Sequence, residues 1–104
     1  MMIHHETLSL RDTISQIEGN IVSDMDGEKV MLSIHNGKYY NLGEIGGVIW
    51  ELIDKPITVE LVVESLLSEY EVSQNDCEEQ VLAFLNHLLK ESLINIENEP
   101  LERE

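Results

Sequence analysis

The sequence predicts an α+β domain in which a three-stranded antiparallel sheet precedes three helices. Two turn dipeptides indicate the sheet, because Asp26-Gly27 and Asn36-Gly37 each separate runs of strand-forming residues and such pairs tolerate the positive φ of a type I′ turn. Apolar residues at helical spacing then predict three helices between residues 41 and 91. With 104 residues, 42% of them apolar, the chain is long enough for one core and too short for a second.

We divide the chain into three parts. Residues 1–20 are expected to form an N-terminal arm or flanking strand that partly covers the Ile21 edge of the sheet, because an uncovered edge invites aggregation. Residues 21–96 form the folded domain, whose last three residues are suited to a short strand, and residues 97–104 form an acidic tail. His4 and His5 lack further ligands at metal-binding spacing, so they do not indicate a metal site.

The predicted strands span residues 21–25, 29–34 and 38–42. A two-residue loop at Asp26-Gly27 sets Asp24 opposite Lys29, and this pair of opposite charges helps to fix the register. The middle strand alternates, with Val30, Leu32 and Ile34 on one side and Lys29, Met31 and Ser33 on the other. The third strand is left at an edge of the sheet, where its backbone groups are free to pair with another chain.

The first helix follows the third strand directly. Asn41 is expected to cap it, with Glu44 reaching back to the Asn41 amide in a capping box. Gly46-Gly47 lies inside this helix, where each glycine costs about 1 kcal/mol relative to alanine. We expect close approach of the helix to a strand or another helix at this point.

The second and third helices are predicted to begin after Thr58 and Ser73, each a favourable N-cap, with Asp76 completing a capping box in the third. The apolar residues of the third helix spread over about 180°, which is wider than the roughly 100° that one core contact needs. Leu82, Leu85 and Leu89 can face the other helices. The remaining apolar residues are either covered by the sheet or form one wall of a groove beside the edge strand, and they are Cys77, Val81, Phe84 and Leu88.

Composition limits the partners and the location of the protein. The net charge is −15, from 21 acidic and 6 basic residues, which weighs against nucleic acid and anionic membranes as partners. The sequence has no apolar run long enough to span a membrane and no secretory signal, so we expect a cytoplasmic protein. The lone Cys77 fits a reducing compartment.

The motifs of catalysis are absent from the sequence. There is no Cys/His set at zinc spacing, no phosphate-binding glycine loop and no nucleophile elbow. Cys77 is better explained as a small buried hydrophobic residue than as a nucleophile. We therefore expect a protein that is not an enzyme and that uses neither cofactor nor metal.

Three stretches in this order resemble the PqqD-like family of leader-recognition domains, also called RiPP recognition elements. They are Asp26-Gly27, the run Gly37-Lys38-Tyr39-Tyr40-Asn41-Leu42, and the helix that contains Ile49-Trp50-Glu51-Leu52. As a discrete acidic domain, the chain is most similar to the stand-alone leader-binding proteins of lasso peptide biosynthesis. The resemblance implies a winged helix-turn-helix-like fold whose third strand and third helix hold the leader of a precursor peptide. It also implies a cysteine-protease-like leader peptidase and an asparagine-synthetase-like cyclase as partners.

An open edge strand and a surplus apolar helix face are the two requirements for peptide binding by β-strand addition. The leader backbone would pair with the third strand, while its alternate side chains enter pockets. Which of Tyr39 and Tyr40 faces the groove depends on a one-residue choice of register. The predicted peptide-binding residues are Lys38, Tyr39, Tyr40, Asn41, Leu42, Cys77, Val81, Phe84, Leu85 and Leu88, and Asp76 and Glu78 are placed to attract basic leader residues.

Two other functions remain open. The quinone-cofactor branch of the same family would share the fold and the binding mode but present its peptide to a radical enzyme. A winged-helix DNA-binding regulator would need Lys and Arg on its recognition helix. The third helix here has Lys90 as its one basic residue and several acids, which disfavours DNA binding.

Overall fold

The computed structural model describes residues 8–97 as two small sheets and three helices. The acidic tail predicted at 97–104 and the His4-His5 pair lie, apart from Glu97, outside the described residues. The strands are β1 (Thr13–Gln16), β2 (Asn20–Met25), β3 (Glu28–Ser33), β4 (Lys38–Leu42), β5 (Ile57–Thr58) and β6 (Ile94–Ile96), and the helices are α1 (Gly43–Leu52), α2 (Val59–Glu69) and α3 (Gln74–Lys90). Within residues 8–97 no helix is long and apolar enough to cross a membrane.

The predicted three-stranded antiparallel sheet is confirmed as β2-β3-β4, in that order. Asp26 and Gly27 have φ values of 56° and 87°, as the type I′ turn requires. Asp24 lies opposite Lys29, and their side chains form an ion pair of 2.8 Å. The Asp26-Gly27 turn therefore sets the register as predicted.

The second hairpin differs from the prediction at its tip. Four residues, 34–37, separate the paired Ser33 and Lys38, and within the Asn36-Gly37 pair the positive φ is confined to Gly37, at 69°. The Asn36 backbone N–H donates to Ser33 Oγ at 3.1 Å, and its side chain donates to the Glu91 carbonyl at 3.0 Å. These hydrogen bonds hold Asn36 in a longer loop, so the expectation of a type I′ turn here is wrong.

β1 does not flank the Ile21 edge of the meander, contrary to the expectation for the N-terminal segment. It forms the middle of a second antiparallel sheet, with Ile14 opposite both Ile57 of β5 and Ile96 of β6. Ile14 is fully buried in the core. The Gln16 side chain donates to the Trp50 carbonyl at 2.7 Å, which ties this sheet to the end of α1.

Two of the three predicted helix starts are confirmed. Thr58 Oγ1 accepts from Leu61 N–H at 3.2 Å, and Ser73 Oγ accepts from Asp76 N–H at 3.1 Å. The capping box predicted at Asn41 is wrong, because Asn41 is held in β4 opposite Val30 and the cap position falls on Leu42. The Asn41 side chain instead accepts from the Gly43 N–H at 2.9 Å.

Gly46 and Gly47 mark close approaches of α1 on two sides, as expected. A Cβ at Gly46 would lie 2.9 Å from the Phe84 ring of α3, and a Cβ at Gly47 would clash with Cγ of Lys29 on β3. The two glycines therefore let α1 sit between α3 and the β2-β3-β4 sheet. Lys29 also reaches Glu51 of α1 at 2.9 Å.

The core lies between the helices and the inner face of the β2-β3-β4 sheet. Met31 and Ser33 are buried there, so the face of β3 that carries Lys29, Met31 and Ser33 points inward and the face with Val30 and Leu32 points outward. Seventeen buried apolar side chains form one core cluster in the described residues. α3 packs against α2 and β6.

Candidate functional site

β4 is an edge strand of its sheet. In the described residues it pairs with β3 along one side, with Met31 opposite Tyr40 and Leu32 opposite Tyr39. Along its other side the backbone N–H groups are donors, and the C=O groups are acceptors, that a further strand would use.

The register decides which side chains of β4 face the helices. Because directly opposed residues share a face, Tyr40 lies with the buried Met31 on the inner side, and Lys38 and Leu42 follow by alternation. Tyr39 and Asn41 lie on the outer side, where Tyr39 is 73% exposed. The observed register thus settles the choice between Tyr39 and Tyr40 that the sequence left open. Tyr40 faces α3, and Tyr39 points away from it.

The start of β4 is tied to the end of α3 through Glu91. Tyr40 Oη donates to Glu91 Oε1 at 2.8 Å, and Lys38 Nζ approaches the same oxygen at 3.5 Å. The Tyr40 hydrogen bond, more than the nearby Lys38, lowers the pKa of Glu91 below its ordinary value of 4.5 against the opposing effect of desolvation. Asn36 completes the network by donating to Tyr40 Oη at 3.0 Å.

A cavity opens beside α1, the helix that follows β4. It has a volume of about 250 Å³ and lies between α1, the end of α2 and the first half of α3. The side chain and backbone atoms that line it belong to Ile45, Gly46, Ile49, Leu66, Tyr70, Val72, Asp76, Cys77, Gln80, Val81 and Phe84. The lining is thus mainly apolar, with the Asp76 carboxylate as its charged group.

Three of the predicted helix residues line this cavity, namely Cys77, Val81 and Phe84. Leu85 and Leu88 are fully buried instead, as members of the core cluster. Leu85 and Leu88 therefore belong to the core and do not form the groove wall that was expected of them. The second wall of the cavity is made by α1 and the end of α2 rather than by β4.

The residues of that second wall were not predicted from the sequence. Ile45 and Ile49 of α1 are one helical turn apart and line the cavity with Tyr70 and Val72. Ile45 and Val72 are 42% and 49% exposed, which is high for apolar residues next to a core. The Gly46 signal pointed to this contact, since the absence of a side chain at Gly46 is what brings Phe84 against α1.

Cys77 has the environment of a structural thiol. It is buried, its Sγ lies 3.9 Å from the Val63 carbonyl, and burial, with a smaller effect of Glu78, raises its pKa. A raised pKa keeps the thiol protonated at neutral pH and therefore a poor nucleophile. Among residues 8–97 no group of three or more His, Cys, Asp and Glu side chains is arranged to hold a metal ion.

Comparison with known proteins agrees with this architecture. The family described as "Coenzyme PQQ synthesis protein D (PqqD)" matches residues 28–94. The chain is 25% identical to TbiB1, solved in complex with the TbiA(beta) leader peptide, over 82% of this chain and 99% of that one, with a TM-score of 0.72.

Two further structures share the fold at lower identity. One is a lasso peptide synthetase B1 complexed with the leader peptide, 23% identical over 79% of this chain and 96% of that one, with a TM-score of 0.69. The other is the PqqD truncation of Methylobacterium extorquens PqqCD, described as a stand-alone RiPP recognition element. It is 17% identical over 86% of this chain and 96% of that one, with a TM-score of 0.73. No curated protein sequence matches the chain significantly.

Proposed function

The chain belongs to the PqqD family, and from that premise we propose that it recognises the leader segment of a ribosomally synthesised precursor peptide without catalysing a reaction. TbiB1, which is 25% identical over nearly its whole length, was solved with such a leader bound. The proposed setting is lasso peptide biosynthesis, which the family resemblance implies and which the name of the structurally similar lasso peptide synthetase B1 also supports. The observation that carries the proposal for this chain is the free edge of β4 running toward an apolar cavity.

The leader backbone is proposed to add as a fourth strand to β4. The pairing surface is the backbone of Lys38–Leu42, whose hydrogen bonds give affinity with little dependence on leader sequence. The Glu91 network holds the first half of this strand to α3, and the second half ends at Leu42, next to Phe84 and Gly46. A leader strand paired with β4 would therefore run along α3 toward the cavity.

Specificity would come from the cavity. A volume of about 250 Å³ bounded by Ile45, Ile49, Val81 and Phe84 fits one or two apolar side chains of a leader. Burying one such side chain contributes about 1.5–3 kcal/mol. Backbone pairing and one apolar anchor together account for selective binding of an extended peptide.

Charge favours a basic leader residue close to that anchor. Asp76 lies on the cavity wall, and the chain as a whole carries a net charge of −15. Glu78, the other predicted carboxylate, does not line the cavity and accepts a hydrogen bond from Gln74 at 2.9 Å. We therefore assign the electrostatic contact with the leader to Asp76.

The partners proposed downstream of recognition are the leader peptidase and the cyclase implied by the family resemblance. The protein would hold the leader while these enzymes act on the attached peptide. We place it in the cytoplasm, the reducing compartment with which its free Cys77 is compatible.

A second candidate is the quinone-cofactor role that gives the matched family its description. The fold and the peptide-binding mode would be the same, and the bound leader would differ. DNA binding is disfavoured by α3 itself, which presents Asp76, Glu78 and Glu79 and has Lys90 as its one Lys or Arg residue.

The test is a fluorescence anisotropy titration with the labelled leader of the precursor peptide encoded beside this protein. Saturable binding in the micromolar range or tighter, with no binding to a random DNA duplex, is the expected result. A series of leaders that are N-methylated at single backbone positions then tests strand addition. Methylation should weaken binding at every second position, where the leader N–H faces β4. A uniform effect along the leader would refute the proposed pairing, and binding to DNA alone would refute the function.

A further inference from the structure

The Glu91 network joins β4 to the C-terminal end of α3 through the side chains of Asn36, Lys38, Tyr40 and Glu91. Its centre is the 2.8 Å hydrogen bond from Tyr40 Oη to Glu91 Oε1. Asn36 Nδ2 donates both to Tyr40 Oη and to the Glu91 carbonyl, at 3.0 Å in each case. Lys38 contributes less, because its Nζ lies 3.5 Å from the carboxylate and its side chain is 63% exposed. The network therefore depends mainly on the hydrogen bonds that Tyr40 and Asn36 make to Glu91.

Glu91 is held in a fixed place by the end of its own helix. Ser92, the next residue, has a positive φ of 63°, and its N–H donates to the Leu89 carbonyl at 3.1 Å. The Leu93 N–H donates to the Leu88 carbonyl at 2.9 Å, which completes the Schellman motif with which many helices end. Leu88 and Leu93 are both fully buried. The backbone that carries the Glu91 carboxylate is therefore fastened to the core on either side.

β4 and α3 are joined at this end by long side chains rather than by close packing of their backbones. The main packing partners of β4 are β3 and α1, whereas those of α3 are α2 and β6. Tyr40 is the middle residue of β4, and its half-buried ring packs against the core while its hydroxyl reaches Glu91. The hydrogen bond between Tyr40 and Glu91 therefore sets how far this part of β4 lies from α3.

That distance matters because a leader strand paired with the free edge of β4 would run along α3. Such a strand must lie about 4.8 Å from β4 for its backbone to pair, while its side chains pass α3. If the Lys38 end of β4 moved relative to α3, the leader would lose either the backbone pairing or the helix contact at that end. An anchor fixed to the core and hydrogen-bonded to the middle of β4 prevents this movement.

We propose that Glu91 is a positioning residue for leader binding, which holds the Lys38 end of β4 at the distance from α3 that an added leader strand needs. This inference rests on the proposed function. Glu91 acts through Tyr40 and does not itself touch the leader.

The experiment measures the affinity of the labelled leader for Tyr40→Phe, Glu91→Ala and the double variant of the full chain. Tyr40→Phe removes the hydroxyl and keeps the ring. Each single substitution should raise the Kd about fivefold, since one hydrogen bond changes an equilibrium by about 2- to 12-fold. The double variant should bind no more weakly than the single variants, because both substitutions remove the same hydrogen bond. Glu91→Gln keeps an acceptor oxygen, so its affinity should lie between those of wild type and Glu91→Ala.

Ser15→Ala is the matched control. Ser15 Oγ donates to Glu97 Oε2 at 2.6 Å in the sheet formed by β1, β5 and β6. The control therefore also loses a hydrogen bond from a hydroxyl to a carboxylate, but in the sheet that does not contain β4. Its leader Kd should change less than twofold, and all variants should keep the circular dichroism spectrum of wild type.

A measurement at the two ends of the added strand distinguishes positioning from a general loss of stability. N-methylation of the leader N–H that pairs near Lys38 should cost less affinity in Glu91→Ala than in wild type, because that end of β4 is then no longer held to α3. N-methylation of the leader N–H that pairs near Leu42 should cost the same affinity in both proteins.

The outcomes separate this inference from the proposed function. Wild-type leader affinity in both Tyr40→Phe and Glu91→Ala would overturn the inference and leave leader recognition intact. Additive losses in the double variant would overturn it as well, because they would mean that Glu91 contacts the leader directly. An equal loss of affinity in Ser15→Ala would also overturn it, in favour of an effect of stability. If no form binds the leader, wild type included, the proposed function is wrong and this inference falls with it.

Discussion

Replacing Phe84 with alanine separates a binding role of the cavity from a purely structural one. Phe84 is half-buried, and its ring contacts the position of Gly46 on α1 while lining the cavity. Truncating a fully buried Phe costs about 3–5 kcal/mol, so about half of that, roughly 2 kcal/mol, is expected here. For a domain of this size the melting temperature should fall by about 8–16 °C.

The same substitution should weaken leader binding. An apolar anchor in the cavity loses one wall, or about half of its 1.5–3 kcal/mol of burial, which corresponds to a Kd about 4 to 12 times higher. Leu82→Ala is the matched control, because Leu82 is also half-buried on α3 but does not line the cavity. Leu88 is unsuitable, since it is fully buried and a polar residue there would unfold the domain.

The assay is anisotropy with the labelled leader at a temperature at which both variants are folded, with melting followed by circular dichroism. The expected pattern is a similar loss of stability in both variants and a loss of affinity confined to Phe84→Ala. If both variants bind the leader as tightly as wild type, the cavity is not the anchor site. If Leu82→Ala weakens binding as much as Phe84→Ala, the effect is one of stability rather than contact.

Three further predictions concern the parts that frame the site. Glu91→Gln should lower the melting temperature at neutral pH. Folding lowers the pKa of Glu91, so its stabilising effect is present above the ordinary pKa of 4.5 and is lost as the pH falls through the folded value. The difference in melting temperature between Glu91→Gln and wild type should therefore vanish in acid. A difference in melting temperature that does not depend on pH would refute the assignment. Gly46→Ala gains about 1 kcal/mol of helix propensity but places a Cβ 2.9 Å from the Phe84 ring. Leader affinity should therefore fall while the melting temperature changes little. Unchanged leader affinity with a changed melting temperature would argue against Phe84 as a cavity wall. Gly27→Ala forces φ of 87° on a side chain and should cost about 1–2 kcal/mol in urea unfolding, whereas Asp26→Asn, compatible with the same turn, should be neutral.

The features predicted well from sequence are those encoded within a few residues. Asp26-Gly27 and the Thr58 and Ser73 caps each depend on local hydrogen bonds or backbone angles, and each is confirmed. The Asn36-Gly37 turn failed because a distant residue, Glu91, captures the Asn36 side chain. Local preference was overridden there by a contact that the sequence pattern does not reveal.

The candidate cavity differs from the predicted groove in the residues that form its walls. Helical spacing identified an apolar surplus on α3 but not which neighbour covers each part, because that depends on how the helices cross. Leu85 and Leu88 therefore proved to be core, and Ile45 and Ile49 of α1 took the place expected for β4. The pairing of β1 with β6 was equally inaccessible, since neither short segment carries a signal for the other.

The pairing of β1 with β6 also affects how the domain folds while the chain is being translated. Ser15 and Glu97, 82 residues apart, are hydrogen-bonded across the small sheet, and closing a loop of this length costs about 4 kcal/mol in chain entropy. At about 5–20 residues per second, the ribosome delivers β6 roughly 4–16 s after β1. During those seconds Ile14, which is fully buried in the finished fold, has only part of its sheet available. During translation β1, which carries the core residue Ile14, therefore waits several seconds for β6, the strand that completes its sheet.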